Sequence, residues 1–309
     1  MKIGIIGAGA IGGLYGAVLS ETGHDVYLID IFKEHIDAIN TKGLTIFHGD
    51  DKKVYTNLKA FTDGREIGEE LDLVIVLVKT YITEIAMEEN KNLFGENTIV
   101  LTLQNGIGNI EKIAKFIDER KIIAGNTSTA GYIEEPGVIL HTGSGGTVIG
   151  EVDGQVTDRI KEIQRMFDHE KLGESKISEN VMSLIWEKLI GNCGINPLGA
   201  LTGLRNGELV ENEETSNLQD KIAEECLMVA KRAGIPLRFT DSSIIKDLAR
   251  KTAPNQTSML VDVLNKRRTE IMAINGGVVE KAKELGLEVP INEMLVNLVL
   301  AKEKSYLTK

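Results

Sequence analysis

Residues 1–30 read MKIGIIGAGAIGGLYGAVLSETGHDVYLID, and this stretch decides the fold. Lys2-Ile-Gly-Ile-Ile6 is short, apolar and β-rich. Gly7-Ala-Gly-Ala-Ile-Gly12 follows at once and opens Ala10–Glu21, whose apolar residues recur at helical spacing, before a second apolar run at Val26–Ile29. The order is strand, tight turn, helix, parallel strand. In that context the GxGxxG spacing has a mechanical meaning. Gly7 allows the tight turn, Gly9 lets backbone approach a pyrophosphate, and Gly12 lets helix pack on strand. The N-terminus of the helix, with Ala10 and Ile11 in its first turn, offers unpaired N–H groups to phosphates. Asp30 closes the second strand about 20 residues on, where an acid grips a ribose hydroxyl. The alternative for Asp30 is a cap for a helix over Phe32–Lys42.

Composition limits what else the chain can be. Its 309 residues are enough for two domains, each with its own core. A net charge of −11 argues against a nucleic-acid or anionic-membrane partner, both of which call for a basic stripe. No apolar run reaches the roughly 18–20 residues of a membrane-spanning helix. The first strand starts without a charged leader, as expected of a cytoplasmic protein. Cys193 and Cys226 lie in apolar surroundings without metal-ligand spacing and read as buried free thiols.

Through about residue 150 the rhythm is strand and helix. Leu73–Val78 and Thr98–Leu103 are continuous apolar runs, as strands buried on both faces should be, and Ile122–Ala124 and Val148–Ile149 read as shorter strands. Helical spacing marks Phe32–Lys42, Ile107–Glu119 and Gln155–Phe167. The expectation is an α/β domain with a doubly wound, mostly parallel sheet over residues 1–175. Ligands in such sheets sit beyond the carboxyl ends of the strands, which singles out Leu77-Val-Lys79 and Leu103-Gln-Asn105-Gly106. Residues 176–309 read as all-α, with helices at Glu179–Asn196, Gly207–Ala233, Asp241–Thr252, Met259–Leu285 and Ile291–Lys304. Gly173–Ser178 is the expected junction.

Lys188, Asn192 and Asn196 recur at i, i+4 and i+8, so at least the first pair shares a helix face. Pro197 disfavours helix at Asn196, and a break is expected there. The three side chains are either a solvated stripe or a ligand-facing one. Leu189–Leu204 has no charged residue in sixteen where the chain average gives about four, which speaks against water as their partner. Ser258 either caps a helix or meets a ligand, and Glu270 either pairs with Lys266 or Arg267 or serves a site. On these residues alone the chain is a nicotinamide-dinucleotide enzyme whose helical domain supplies polar groups.

The same residues carry a resemblance. The Gly7–Gly12 fingerprint, Val78-Lys79-Thr80, Gln104-Asn105-Gly106, Glu135-Pro-Gly137 leading to His141-Thr-Gly143 and Ile149-Gly-Glu151, Trp186-Glu-Lys188 with Asn192 and Asn196, and Ser258-Met-Leu-Val-Asp262 followed by Arg268-Thr-Glu-Ile271 and Ile274-Asn-Gly276 run in order along nearly the whole chain. Together they resemble the ketopantoate reductase family. The resemblance implies a Rossmann-type domain followed by a helical domain like the C-terminal domain of 6-phosphogluconate dehydrogenase, with the active site in the cleft between them. It implies Lys188 as general acid and Glu270 as the acid that binds substrate, counted also among the cofactor contacts. It implies Asn105, Asn192, Asn196, Asn206 and Ser258 as substrate contacts, and Lys79 and Asn105 near the nicotinamide. Met272 stands where the family often has a second acid.

The expected reaction is reduction of 2-dehydropantoate to (R)-pantoate in pantothenate synthesis. Alternatives are a dehydrogenase for other branched or aromatic 2-ketoacids and a non-catalytic dinucleotide sensor. The intact Lys188 and Glu270 speak against a sensor. The resemblance implies NADPH, whereas Asp30, with no arginine close behind it, points to acceptance of NADH. A small 2-ketoacid is the expected partner, no metal is expected, and a homodimer is left open.

Overall fold

The computed structural model describes residues 1–307. The chain divides into two compact units, one formed by Met1–Gln104 with Asn109–Val181, the other by Asn105–Gly108 with the chain from Met182 on.

In chain order the first unit has β1 (Lys2–Ile6), α1 (Ala10–Glu21), β2 (Asp25–Ile29), α2 (Lys33–Lys42), β3 (Leu44–His48), β4 (Asp51–Tyr55), β5 (Lys59–Phe61), β6 (Leu73–Val76), α3 (Thr83–Glu89), β7 (Ile99–Thr102), α4 (Asn109–Ile113), β8 (Ile122–Thr127), β9 (Ala130–Glu135), β10 (Val138–Gly143), β11 (Thr147–Glu151), α5 (Asp158–Phe167) and β12 (Ser175–Ile177). Eight strands form one sheet in the order β12-β11-β8-β7-β6-β1-β2-β5, parallel throughout except where β11 meets β8. This is the doubly wound sheet that the sequence predicts. Ile3, Ile5, Leu73, Ile75 and Leu101 are fully buried in it, as strands covered on both faces require. β1 has β2 on one side and β6 on the other, so the strand order reverses between β1 and β6. Ligands bind outside the strand ends at such a reversal.

A second sheet, ordered β4-β3-β10-β9, has no counterpart in the sequence reading. Its strands are hard to see because β4, Asp-Lys-Lys-Val-Tyr, exposes four of its five residues and has the composition of a loop. The two sheets together account for Gly13 and Gly16 of α1. A Cβ at Gly16 would lie 2.6 Å from Leu28 of the large sheet, and one at Gly13 would lie 2.4 Å from Ile139 of the small one. Packing from both sides buries α1 continuously from Gly12 to Ser20.

The second unit carries α6 (Val181–Thr202), α7 (Asn206–Glu211), α8 (Glu213–Arg232), α9 (Ser243–Lys251), α10 (Ser258–Leu264), α11 (Asn275–Glu284) and α12 (Pro290–Leu307). It is all-α as expected, with three differences in its helices. Gly207–Ala233 is two helices, because the Asn212 side chain accepts the N–H of Thr215 and caps α8 afresh. Met259–Leu285 is also two, separated by an irregular segment in which Lys266 adopts a left-handed φ of 54°. The third difference is at Pro197, where α6 runs through without ending. Proline has no N–H for the Cys193 carbonyl four residues back. Asn275 Nδ2 donates to that carbonyl instead, at 3.2 Å, and also to Asn292 Oδ1 at 2.9 Å. Asn292 Nδ2 in turn donates to Glu225, which also accepts the N–H groups of Ile291 and Asn292 at the start of α12. A helix that local rules would break is thus completed by a buried chain of hydrogen bonds. Beside it, Cys193 and Cys226 are buried free thiols.

Candidate active site

In the first unit the glycine turn has the geometry its spacing predicts. Gly7 has φ of 101°, and a Cβ there would meet the Val78 nitrogen at 2.6 Å. A Cβ at Gly12 would lie 2.0 Å from the Gly7 carbonyl oxygen, so the helix can approach only as glycine. At Gly9 the same construction meets nothing within 4 Å. Gly9, Ala10 and Ile11 are half-buried at the head of an otherwise buried helix, and no side chain caps it. Free N–H groups, open space and the helix dipole together fit a bound pyrophosphate.

Asp30 follows β2 directly. Its carboxylate accepts the Phe32 N–H at 3.0 Å, a turn ahead of α2, whose N-cap is Phe32 and which has no side-chain cap. The capping alternative is therefore replaced by an Asx turn, which leaves Asp30 half-buried at the strand end. Lys33 is turned to Asp37, at 2.7 Å. At the next strand end, Gln104 fixes the Lys79 loop by donating to the Val78 carbonyl at 2.7 Å and to Thr83 at 2.8 Å. The sequence reading quoted Gln104 within a motif but gave it no role. Its signal was a lone amide directly after an apolar strand.

In the second unit Lys188, Asn192 and Asn196 lie on one face of the continuous α6. Lys188 keeps part of its surface accessible, yet packing around its amine is the largest influence on it and lowers its pKa to about 8. The negative charge of Glu270 opposes that shift, so the two side chains interact. The neighbouring Glu187 faces away into another pairing, accepting from the backbone and guanidinium of Arg238. Asn196 is buried, and its Nδ2 has no hydrogen-bond partner among the described residues.

Glu270 does not sit on a helix. It belongs to the irregular segment between α10 and α11, and the segment is anchored one residue earlier, where the N–H and hydroxyl of Thr269 both donate to the buried Glu303. The Asn105 loop joins the same region. Ile107 N–H donates to the Ala273 carbonyl at 3.2 Å, and a Cβ at Gly106 would meet that oxygen at 2.4 Å. This docking explains why helix begins only at Asn109 rather than at Ile107. Asn105, Lys188 and Glu270 are thereby parts of one unit although 83 and 165 residues separate them from the first.

Asn206 heads α7 and is buried. Its Nδ2 donates to Thr252 Oγ1 at 2.8 Å, leaving Oδ1 without a hydrogen-bond partner among the described residues. Ser258 is the exposed first residue of α10, and the cap of that helix is Thr257, which accepts the Leu260 N–H at 3.0 Å. The capping alternative for Ser258 thus belongs to its neighbour. Thr257 also packs against Gly199, one turn beyond Asn196 on α6.

Residues 3–154 match the family model described as "Ketopantoate reductase PanE/ApbA", and residues 180–303 match "Ketopantoate reductase PanE/ApbA C terminal". A 2-dehydropantoate 2-reductase of Pyrococcus horikoshii is 37% identical over 305 residues, which is 98% of either chain. Among solved structures, a PanE/ApbA family ketopantoate reductase from Ralstonia eutropha JMP134 superposes with a TM-score of 0.89 at 30% identity, over 99% of both chains. A D-mandelate dehydrogenase in a ternary structure with NADH and anilino(oxo)acetate gives a TM-score of 0.89 at 28% identity, again over 99% of both.

The electrostatics of Lys188 are directly measurable. Its ammonium should titrate near pH 8 in an NMR titration of lysine-labelled protein, and Glu270→Gln should move the midpoint lower by removing the carboxylate that supports the charge. An ordinary lysine midpoint, or an upward shift in Glu270→Gln, would contradict the described pairing.

Proposed function

The chain belongs to the ketopantoate reductase family, and from that premise we propose how its own residues carry out the reduction of 2-dehydropantoate to (R)-pantoate. The observation that carries the reading is Lys188, a lysine whose surroundings bring its pKa to about 8 beside a carboxylate. A general acid works best when its pKa lies near the working pH. A reduced nicotinamide, when bound, would supply hydride to C2 of the ketoacid. Lys188 meets the negative charge that develops on the C2 oxygen and donates its Nζ proton there, so the carbonyl becomes a hydroxyl and the amine is left neutral. Solvent returns the proton. The donor is the protonated form, so the rate of this step falls as pH rises through about 8. An anionic ketoacid beside Lys188 raises the pKa and extends the active range upward.

The remaining roles are those the family resemblance implies, and donor and acceptor chemistry is compatible with them. Asn196 Nδ2, a buried donor, suits a carboxylate oxygen of the ketoacid, as does Asn192 on the same face. Glu270 accepts from the distal hydroxyl, and Asn206 Oδ1 offers a second buried acceptor. Ser258 and Asn105 complete the polar contacts. Gly7, Gly9, Ala10, Ile11 and Gly12 would hold the dinucleotide's phosphates, and Lys79 would lie toward its nicotinamide end. A second reading, reduction of other 2-ketoacids, is favoured by the likeness to the D-mandelate dehydrogenase.

Cofactor choice turns on Asp30. Like charges about 4 Å apart at an effective dielectric near 20 repel by up to ~4 kcal/mol, less where solvent screens them. Lys33, the nearby cation, is engaged by Asp37. We read Asp30 as gripping the ribose hydroxyls, which favours NADH.

Lys188→Ala should lower kcat on ketopantoate by about 10²–10⁴ and leave the Kd for NADH unchanged, because only the proton donor is lost. Turnover close to wild type would remove Lys188 from the mechanism. The wild type should use NADH at least as well as NADPH, and Asp30→Ala should shift kcat/KM toward NADPH. A wild-type preference for NADPH of about 100-fold or more, some 2.7 kcal/mol, would overturn the assignment of Asp30.

A further inference from the structure

The reading above gives Gln104 no part in the reaction, although it is buried just beyond β7 and its amide is fully committed. Nε2 donates to the Val78 carbonyl at 2.7 Å and to Thr83 Oγ1 at 2.8 Å, and Oε1 accepts the Thr102 hydroxyl at 3.0 Å. A carbonyl oxygen can only accept, so the bond to Val78 fixes which end of the amide is the nitrogen. Thr83 extends the chain by donating to Asn109 Oδ1 at a longer 3.5 Å. Thr83, Thr102 and Asn109 are buried too, and all five residues belong to the first unit.

Two stretches of backbone are tied by this one side chain. The first is Leu77-Val-Lys79, after β6. It lies against the glycine turn, since a Cβ at Gly7 would come within 2.6 Å of the Val78 nitrogen and 2.7 Å of the Leu77 carbonyl carbon. Val78 is thus bounded at its nitrogen by the glycine turn and held at its carbonyl by Gln104, which fixes where Lys79 begins. The second stretch is 105–108, which leaves the first unit at Gln104 and returns to it at Asn109. Thr83 joins those two ends. Gly106 and Gly108 within the stretch take left-handed φ of 80° and 86°, so its path is set by backbone and by its ends.

The order of the sheet says which part of a dinucleotide these residues would serve. β2, which leads to Asp30, flanks β1 on one side, and β6 followed by β7 flanks it on the other. With the pyrophosphate at the head of α1 and the adenosine ribose at Asp30, the other half of the molecule extends past the ends of β6 and β7. We propose that Gln104 is a positioning residue for the nicotinamide half of the dinucleotide, holding the Val78 carbonyl and, through Thr83, Asn109. The inference rests on the reading that the first unit binds a dinucleotide. The adenosine side has supports of its own, because the N–H groups of Gly7 and Ala8 both donate to the Ile29 carbonyl, at 2.8 and 3.2 Å. Loss of the Gln104 amide is therefore felt by one half of the ligand.

The test compares equilibrium binding of NADH and ADP-ribose to the whole chain, since ADP-ribose keeps the adenosine, pyrophosphate and second ribose but lacks the nicotinamide. Gln104→Met, similar in length but without the amide, should weaken NADH binding about tenfold and leave ADP-ribose within about twofold of wild type. Gln104→Glu, which keeps the length but turns a carboxylate toward the Val78 carbonyl, should lose at least as much NADH affinity. Thr83→Val removes a single hydroxyl and should cost NADH about threefold, again sparing ADP-ribose; it carries the same comparison if the Gln104 variants do not fold. Equal weakening of both ligands, or NADH affinity unchanged from wild type, would overturn the proposal in any of these variants. A wild type that binds neither NADH nor ADP-ribose would instead overturn the dinucleotide reading, and the proposal with it.

Discussion

An amine surrounded by packed protein atoms resists carrying charge, and the second unit is arranged around that constraint. Lys188 is brought to a pKa of about 8 by its surroundings and is kept from falling further by Glu270. The elements that carry both side chains are completed by residues far away in sequence. The helix that carries Lys188 also carries Asn196 and runs on past Pro197, where Asn275 satisfies the carbonyl that proline abandons. Glu270 needs its irregular segment fixed, which Glu303 does by accepting two hydrogen bonds from Thr269. Buried polar groups of this kind stabilise little on balance but are costly to leave unpaired, so they specify one arrangement over others.

The first unit rests on a different constraint, the close approach of α1 to what surrounds it. Gly12 lies against the glycine turn, Gly13 against the small sheet and Gly16 against the large one. A side chain at Gly12 would meet the backbone of the glycine turn and push the N-terminus of the helix off the strand reversal between β1 and β6, whereas at Gly13 and Gly16 it would press on the ends of the Ile139 and Leu28 side chains. The phosphate recognition proposed for this turn would thus follow from packing.

The sequence made legible whatever local spacing encodes. α1 spans Ala10–Glu21 as read from its apolar period, and β6 and β7 lie within the two long apolar runs. Lys188 and Asn192 were placed on one face by their spacing alone. What escaped depends on partners distant in sequence. α6 could not be followed through Pro197 because Asn275 lies 82 residues from the carbonyl it rescues. Glu270 read as helical because nothing near it announces Glu303, 34 residues from Thr269. The small sheet was missed because β4 is mostly exposed and its residues carry no alternating apolar pattern.

The substrate assignment rests on which 2-ketoacid fits the polar groups around Lys188, and a single experiment addresses it. The purified protein is assayed for reduced-nicotinamide oxidation against a panel of 2-ketoacids that includes ketopantoate, simple branched ketoacids lacking the distal hydroxyl, and phenylglyoxylate. The account predicts the highest kcat/KM for ketopantoate, with branched analogues lacking the hydroxyl weakened chiefly in KM. A panel in which phenylglyoxylate or a hydroxyl-free ketoacid is the preferred substrate would contradict it.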